Sequence, residues 1–240
     1  MKEIILFPEN KHGKSELDWL KSNFSFSFGN YYNPEKMGFG SLRVLNNDIV
    51  KAGTGFGMHH HDNMEIVTIP LSGSLTHRDS LGNEGAILPD EVQSMSAGSG
   101  IEHSEMNLGK EDGEFFQIWI ETQKYNIKPE YHQKTFSSEE RAGKWQLLAG
   151  PERDTQGVVI NQNAFIYRVS LGDGESIEYK KNIPGNALYI MNINGKFSLE
   201  GHTLSYRDAI GLVGYENTSI TAHKMSDILL IEVPYQTPYI

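Results

Sequence analysis

Residues 53–80 read GTGFGMHHHDNMEIVTIPLSGSLTHRDS, and residues 96–107 read SAGSGIEHSEMN. In these two stretches His59 and His61 stand two residues apart, and so do His103 and Glu105. Successive side chains of a β-strand alternate faces, so residues i and i+2 point the same way. His59 and His61 can therefore face inward while His60 faces away. His103 and Glu105 can do the same on a second segment. Two such pairs on neighbouring strands bring three imidazoles and one carboxylate around a single point. That donor set suits a divalent transition ion such as Fe, Mn, Ni, Cu or Zn. A solvated histidine-rich loop would explain the HHH run alone, but not the second pair.

The sequence around these pairs is strand-like. Residues 65–71, 75–78, 92–96 and 102–107 read as short strands divided by Gly, Asn and Asp turn signals. Residues 115–121 (FFQIWIE) are apolar on both faces, which predicts a central strand. Upstream, FSF and SLRVL alternate like strands, and Asn33-Pro34 and Asn46-Asn47-Asp48 read as turns. Ser15 is placed to cap a short helix over 16–22. Ser137 with Glu140 fits a capping box, opening a helix to about residue 148 that Gly150-Pro151 ends. Strand patterns resume at 164–170, 176–180, 187–193, 196–199, 210–213 and 228–233. Many short strands with closely spaced turns predict an all-β sandwich or barrel.

The chain has 240 residues, 38% of them hydrophobic, with 24 glycines and no cysteine. A sizeable core is possible, and disulfides, thiolate catalysis and Cys-based zinc sites are excluded. The formal net charge of −10 argues against direct nucleic-acid binding. The N-terminal MKEIILFPENKHGKS turns polar too early for a signal peptide, and no apolar run approaches the ~18 residues of a membrane span. The expected location is the cytoplasm.

The two halves are weakly alike. Residues 66–79 (IVTIPLSGSLTHRD) resemble 188–201 (LYIMNINGKFSLEG). With Gly73 matched to Gly195, and Asp90 to Asp208, the positions of His59, His61, His103 and Glu105 fall on Lys181, Ile183, Thr221 and His223. The second half then keeps the fold and lacks the ligands.

Gly53-x5-His59-x-His61-x3-Glu65 followed by Gly73 resembles the first cupin motif, and Gly100-x2-His103-x3-Asn107 the second. The blocks NYYNPEKMGFGSLRVLNND, GTGFGMHHHDNMEIVTIPLSGSLTHRDSLGN and SAGSGIEHSEMN resemble the pirin-like bicupins, above all the bacterial members associated with quercetin 2,3-dioxygenase activity. The resemblance is strong over residues 24–123 and weaker beyond. It implies two cupin barrels (double-stranded β-helices of jelly-roll type) with few short helices. Residues 1–125 would carry the metal. Residues 126–240 would hold a linker with a short helix and a degenerate cupin without metal. The implied ligands are His59, His61, His103 and Glu105, with Glu105 also the catalytic base.

The family usually has proline where this chain has His60. Single cupins place a carboxylate ligand at the position of Glu65; the pirin-like pattern leaves Glu65 as an acceptor for a ligand imidazole N–H. The implied cofactor is one divalent ion, iron(II) first, with Cu, Mn, Ni, Co or Zn as alternatives. The implied reaction is O₂-dependent cleavage of a flavonol-type ring with loss of CO, by a monomer acting on a small aromatic molecule. The other reading is a regulatory protein with a redox-sensing metal site and a protein partner. An open cavity over the metal favours the enzyme, and a sealed site the sensor. His77 is expected to be structural, and Phe56, Met58, Phe115 and Trp119 are candidate cavity walls.

Overall fold

A computed structural model of the chain describes residues 2–151 and 156–235. Among the described residues twenty strands carry the fold, and the helical content is two 3₁₀ turns, Glu9–Lys11 and Ser138–Arg141. In the first half the strands are β1 (Glu3–Phe7), β2 (Gly13–Glu16), β3 (Leu20–Phe24), β4 (Leu42–Val50), β5 (Gly55–His61) and β6 (Met64–Ser72). They continue with β7 (Leu75–Asp79), β8 (Glu84–Ile87), β9 (Glu91–Ser96), β10 (Ile101–Met106), β11 (Gly113–Glu121) and β12 (Glu130–Thr135). The second half has β13 (Gln146–Gly150), β14 (Val158–Val159), β15 (Phe165–Leu171) and β16 (Ser176–Lys180). It closes with β17 (Asn186–Leu199), β18 (His202–Leu204), β19 (Ala209–Val213) and β20 (Asn217–Pro234).

The first barrel is built from a sheet ordered β12-β9-β6-β11-β4-β3-β2 and a sheet ordered β5-β10-β7-β8. The second is built on the sheet β1-β19-β17-β20-β15-β13-β14, with β16 paired to β20 and β18 to β17. β17 and β20 are long because their pairing shifts register around Asn192–Lys196, where the sheet bends over itself. Residues 187–193 and 196–199 are thus one continuous strand. β1 joins the second barrel's sheet beside β19, and β12 joins the first barrel's sheet beside β9.

β11 lies between β6 and β4, as its doubly apolar pattern predicts. Phe116, Ile118 and Ile120 enter a large core between the barrels, with Leu45 and Val67 on one side and Ile166, Tyr189, Leu229 and Ile231 on the other. Phe115, Gln117 and Trp119 face into the first barrel, Phe115 packing on Leu20, Val50 and Leu75 and Trp119 on Ile66, Met95 and Ile101. Burying a large apolar side chain stabilises by roughly 1.5–3 kcal/mol, so the shared core ties the barrels firmly together.

Three expectations fail locally. Residues 16–22 form no helix; β2 and β3 make an antiparallel hairpin closed by reciprocal bonds between Leu17 and Leu20. Leu20, Ser22 and Phe24 are its buried face, and the serine at the central position hides the period-2 signal. Ser137 does cap, accepting from the Glu139 N–H, but the helix lasts one 3₁₀ turn. Gly143, at φ +68°, breaks it, and Leu147 and Leu148 belong to β13. Asn46-Asn47-Asp48 is no turn but the middle of β4, paired on both sides.

Candidate metal centre

β5 and β10 are antiparallel neighbours with His59 opposite His103. Beyond that pair the register slips, so that Glu105 lies opposite Phe56 and β5 carries an extra residue. Such a bulge re-aims side chains. It turns the Gly57 carbonyl toward its own strand, where it accepts a hydrogen bond from Nδ1 of His59 at 2.8 Å. A carbonyl can only accept, so Nδ1 carries the proton and Nε2 is left as the metal-binding nitrogen.

The rings of His59, His61 and His103 stand 4.8, 4.4 and 4.9 Å apart, centre to centre. One nitrogen from each lies within 4.8 Å of the others. His60, between the first two, is exposed. His103 is buried, and neither of its nitrogens has a hydrogen-bond partner among the described residues. Leaving a buried polar group unpaired costs roughly 1–3 kcal/mol, which a coordinated cation would offset. Burial, reinforced by His59 and His77, holds the His103 pKa down to about 3. Burial, with His103 and His59 adding to it, holds His61 at about 4. Both imidazoles are thus neutral near pH 7 with a lone pair to give.

Glu105 is buried on the same face of β10 as His103. Its Oε1 accepts from the Thr68 hydroxyl at 3.2 Å and its Oε2 from the Gln117 amide at 2.8 Å. The tight group contains the three imidazoles; Glu105 stands beside it on the wall of the cavity that His59 and His61 also line.

Glu65 departs from both of its expected roles. Along β6, Ile66 and Thr68 face the first barrel's interior, while Val67 and Ile69 enter the core between the barrels. Glu65 shares parity with the latter pair. Its Oε2 accepts from Ser96 Oγ at 2.5 Å and from the Asn161 backbone N–H at 2.9 Å, a residue of the second half. Burial raises its pKa, against these bonds. It neither reaches the imidazoles nor orients them.

His77 is buried behind His103, with ring centres 5.4 Å apart, and packs at a tilt against Tyr131 at 4.8 Å. Its Nε2 bonds Asp79 at 3.0 Å, and Asp79 in turn accepts from the backbone N–H groups of Leu81 and Asn83. Burial pushes the Tyr131 phenol up to about 12, so this backing stays uncharged at the phenol.

In front of the imidazoles opens a cavity of about 670 Å³. Trp19, Phe24, Phe28, Tyr31, Phe56 and Trp119 give it flat aromatic walls. Trp119 meets His61 edge-on at 4.8 Å and Phe28 at 5.3 Å. Phe115 instead packs in the barrel core, and Met58 is exposed. Asn46, Asp48 and Gln117 supply polar wall. Burial pushes Asp48 up to about 7, opposed by a Ser22 hydrogen bond and reinforced by the charge of Glu105. Asn46 and Asp48 escape a sequence reading because a polar run normally signals a turn. Their two-residue spacing inside a strand is the overlooked clue.

The second barrel has no matching group among the described residues. Lys181 pairs with Glu216, Thr221 with Ser176 and His223 with Ser198. Phe197, Leu204, Ile210, Ile220 and Leu230 fill its interior. No described helix is long and apolar enough to cross a membrane.

Comparison with known proteins agrees with this architecture. The family model Pirin matches residues 8–120, and the quercetinase C-terminal cupin domain matches residues 147–233. The chain is 38% identical over 227 residues, 94% of its length, to a Pseudomonas aeruginosa protein provisionally named a quercetin 2,3-dioxygenase, covering 97% of it. It is 36% identical to the quercetin 2,3-dioxygenase of Escherichia coli K12, covering 96% of this chain and 99% of that one. The crystal structure of the Escherichia coli bacterial pirin YhhW in complex with nickel(II) superposes with a TM-score of 0.92 at 35% identity, covering 98% of this chain and all of that one. With two cupin barrels, a histidine cluster in the first, and relatives matched over nearly the whole length, the chain belongs to the pirin family.

Proposed function

We propose that the chain is a metal-dependent dioxygenase of the quercetin 2,3-dioxygenase type, acting on a flavonol-like molecule and O₂. The observation that carries this reading is the open, aromatic-walled cavity of about 670 Å³ meeting the histidine cluster. That volume lies in the range of small-molecule sites, and flat walls favour a flat ring system. A sealed site would have favoured the regulatory alternative.

In this reading His59, His61, His103 and Glu105 hold one divalent transition ion, iron(II) being the first candidate and Cu, Mn, Ni, Co or Zn the others. The donor set and the unpartnered nitrogens of His103 support such an ion. When bound, it supplies Lewis acidity toward a substrate hydroxyl. Glu105 takes the proton from that hydroxyl as general base. Gln117 and Thr68 each donate to its carboxylate and hold it in one orientation. Trp119, set edge-on against His61, limits where the ring can lie. The apolar walls exclude water from the reacting edge.

The division of labour at residues 125/126 is part of the proposal: one ion per chain, in the first barrel. So are monomeric action and a cytoplasmic setting. The test is elemental analysis of the purified protein joined to quercetin-dependent O₂ uptake after reloading with each metal. Stoichiometric metal without O₂ uptake on any flavonol would sink the enzyme reading. Two ions per chain would sink the one-site reading.

A further inference from the structure

The cavity has a second chemistry on the wall formed by β4. Asn46 and Asp48 are two residues apart on that strand and both line the cavity. Both are more than nine-tenths buried, and each has a side-chain Oδ1 with no hydrogen-bond partner among the described residues. Two unpaired acceptors side by side are costly, and interiors rarely keep them without use. Of their neighbours, Gln117, opposite Asn46, donates its amide N–H to Glu105, and Ser22 bonds Asp48. The last torsion of Asp and Asn is broad, so a modest rotation turns either oxygen into the cavity.

We propose that Asp48 and Asn46 form a hydroxyl-recognising wall, which sets the site's preference for aromatic substrates carrying hydroxyl groups beyond the one engaged at the histidine cluster. Those hydroxyls donate to the two oxygens while the aromatic walls hold the ring plane. This inference rests on the dioxygenase reading for the substrate class, but it concerns affinity rather than turnover. A pocket whose acceptors must be paired rejects the analogue that lacks the donor far better than an apolar pocket rejects an extra group.

The experiment compares quercetin with 3-hydroxyflavone, which shares the 3-hydroxyl and 4-carbonyl but lacks the other hydroxyls. Binding to the metal-loaded protein is read without oxygen, by quenching of tryptophan fluorescence; Trp19 and Trp119 line the cavity. The parent protein should favour quercetin by roughly tenfold or more, the usual cost of leaving a buried acceptor unpaired. Asp48→Asn, which keeps the shape, should lose most of that ratio, and Asn46→Val a smaller part. Metal content and melting temperature are checked alongside. An equal loss of affinity for both ligands, or a ratio unchanged in both variants, overturns the proposal, as does a parent without preference. If the ratio behaves as expected but no O₂ is consumed, the wall stands and the dioxygenase reading falls. If O₂ is consumed but the ratio does not move, the reverse holds.

Discussion

Glu105→Gln separates the charge of Glu105 from its place in the structure. The wild-type carboxylate accepts two hydrogen bonds, from Thr68 and Gln117. Thr68 Oγ1 also stands 3.1 Å from Gln117 Oε1. A glutamine at 105 can keep its oxygen toward the Gln117 amide and turn its NH₂ toward Thr68. The threonine hydroxyl then accepts from residue 105 and donates to Gln117 Oε1. Every bond is kept with donor and acceptor reversed at one point, so the stability cost should stay within about 1.5 kcal/mol. The charge and basicity are lost. A positioned general base contributes ~10²–10⁴-fold in rate, or about 3–5 kcal/mol of barrier. Turnover should therefore collapse by that factor while the protein melts almost normally. Three imidazoles remain, so an ion should still bind, more weakly.

Glu65→Gln is the matched control. Glu65 bridges Ser96 and Asn161 and faces away from the imidazoles. Its variant should shift the melting temperature and leave metal content and turnover alone. The assay is metal occupancy, quercetin-dependent O₂ uptake with added metal, and a thermal melt for all three proteins. Normal turnover by Glu105→Gln at full occupancy, or a dead Glu65→Gln at full occupancy, would refute the assignment of roles.

Other perturbations probe the scaffold. His103→Ala should abolish the rise in melting temperature that added metal gives the parent, since a ligand bound only by the folded state stabilises it by mass action; an undiminished rise would place the ion elsewhere. Gly55 sits at φ +158°, and a Cβ there would lie 2.3 Å from the Glu105 carbonyl oxygen and 2.6 Å from the Met106 Cα. Gly55→Ala should push β5 from β10, parting His59 from His103 and weakening metal binding by roughly tenfold or more; unchanged affinity by titration would count against this. His12 is buried, and burial with the charge of Lys36 holds its pKa down to about 4. Unfolding restores about 6.5, so the unfolded chain binds more protons between those values and stability falls as pH drops through that window. From pH 7.5 to 5 His12 contributes about 2 kcal/mol to that loss, alongside the similarly depressed His61 and His103, and His12→Gln should shrink the total pH dependence by that share in denaturant titrations.

The grouping of the three histidines is legible because its signal is local. One HxH and one HxE pair need only the alternation of a strand, and the fold brings His59, His61 and His103 together from two neighbouring strands. Glu65 misled because it follows His61 closely in sequence, yet β6 is a new strand with its own parity, fixed by the second barrel. The same distance in sequence hid β1, whose partner β19 lies some two hundred residues away. The hairpin of β2 and β3 and the strand β13 were lost to capping patterns that hold for one turn and no further. Asn46 and Asp48 were lost for a different reason: polar residues inside a strand contradict the burial rule, and such contradictions gather where a protein binds something.

That logic also explains what a second barrel with no matching histidine group among its described residues contributes. β11 supplies Gln117 and Trp119 to the cavity, and β4 supplies Asn46 and Asp48. These are positions where packing within the first barrel has been given up for polarity or open space. The same two strands turn Phe116, Ile118, Ile120 and Leu45 outward into the core shared with Tyr189, Leu229 and Ile231. A lone cupin barrel with that outer face would expose it to water. The second barrel covers it, and Arg207 reaches across to the Glu114 carboxylate at 2.6 Å and lies over the Phe116 ring. The rigidity that holds Gln117 against Glu105 is thus supplied from behind, by strands that contribute no residue to the lining of the cavity.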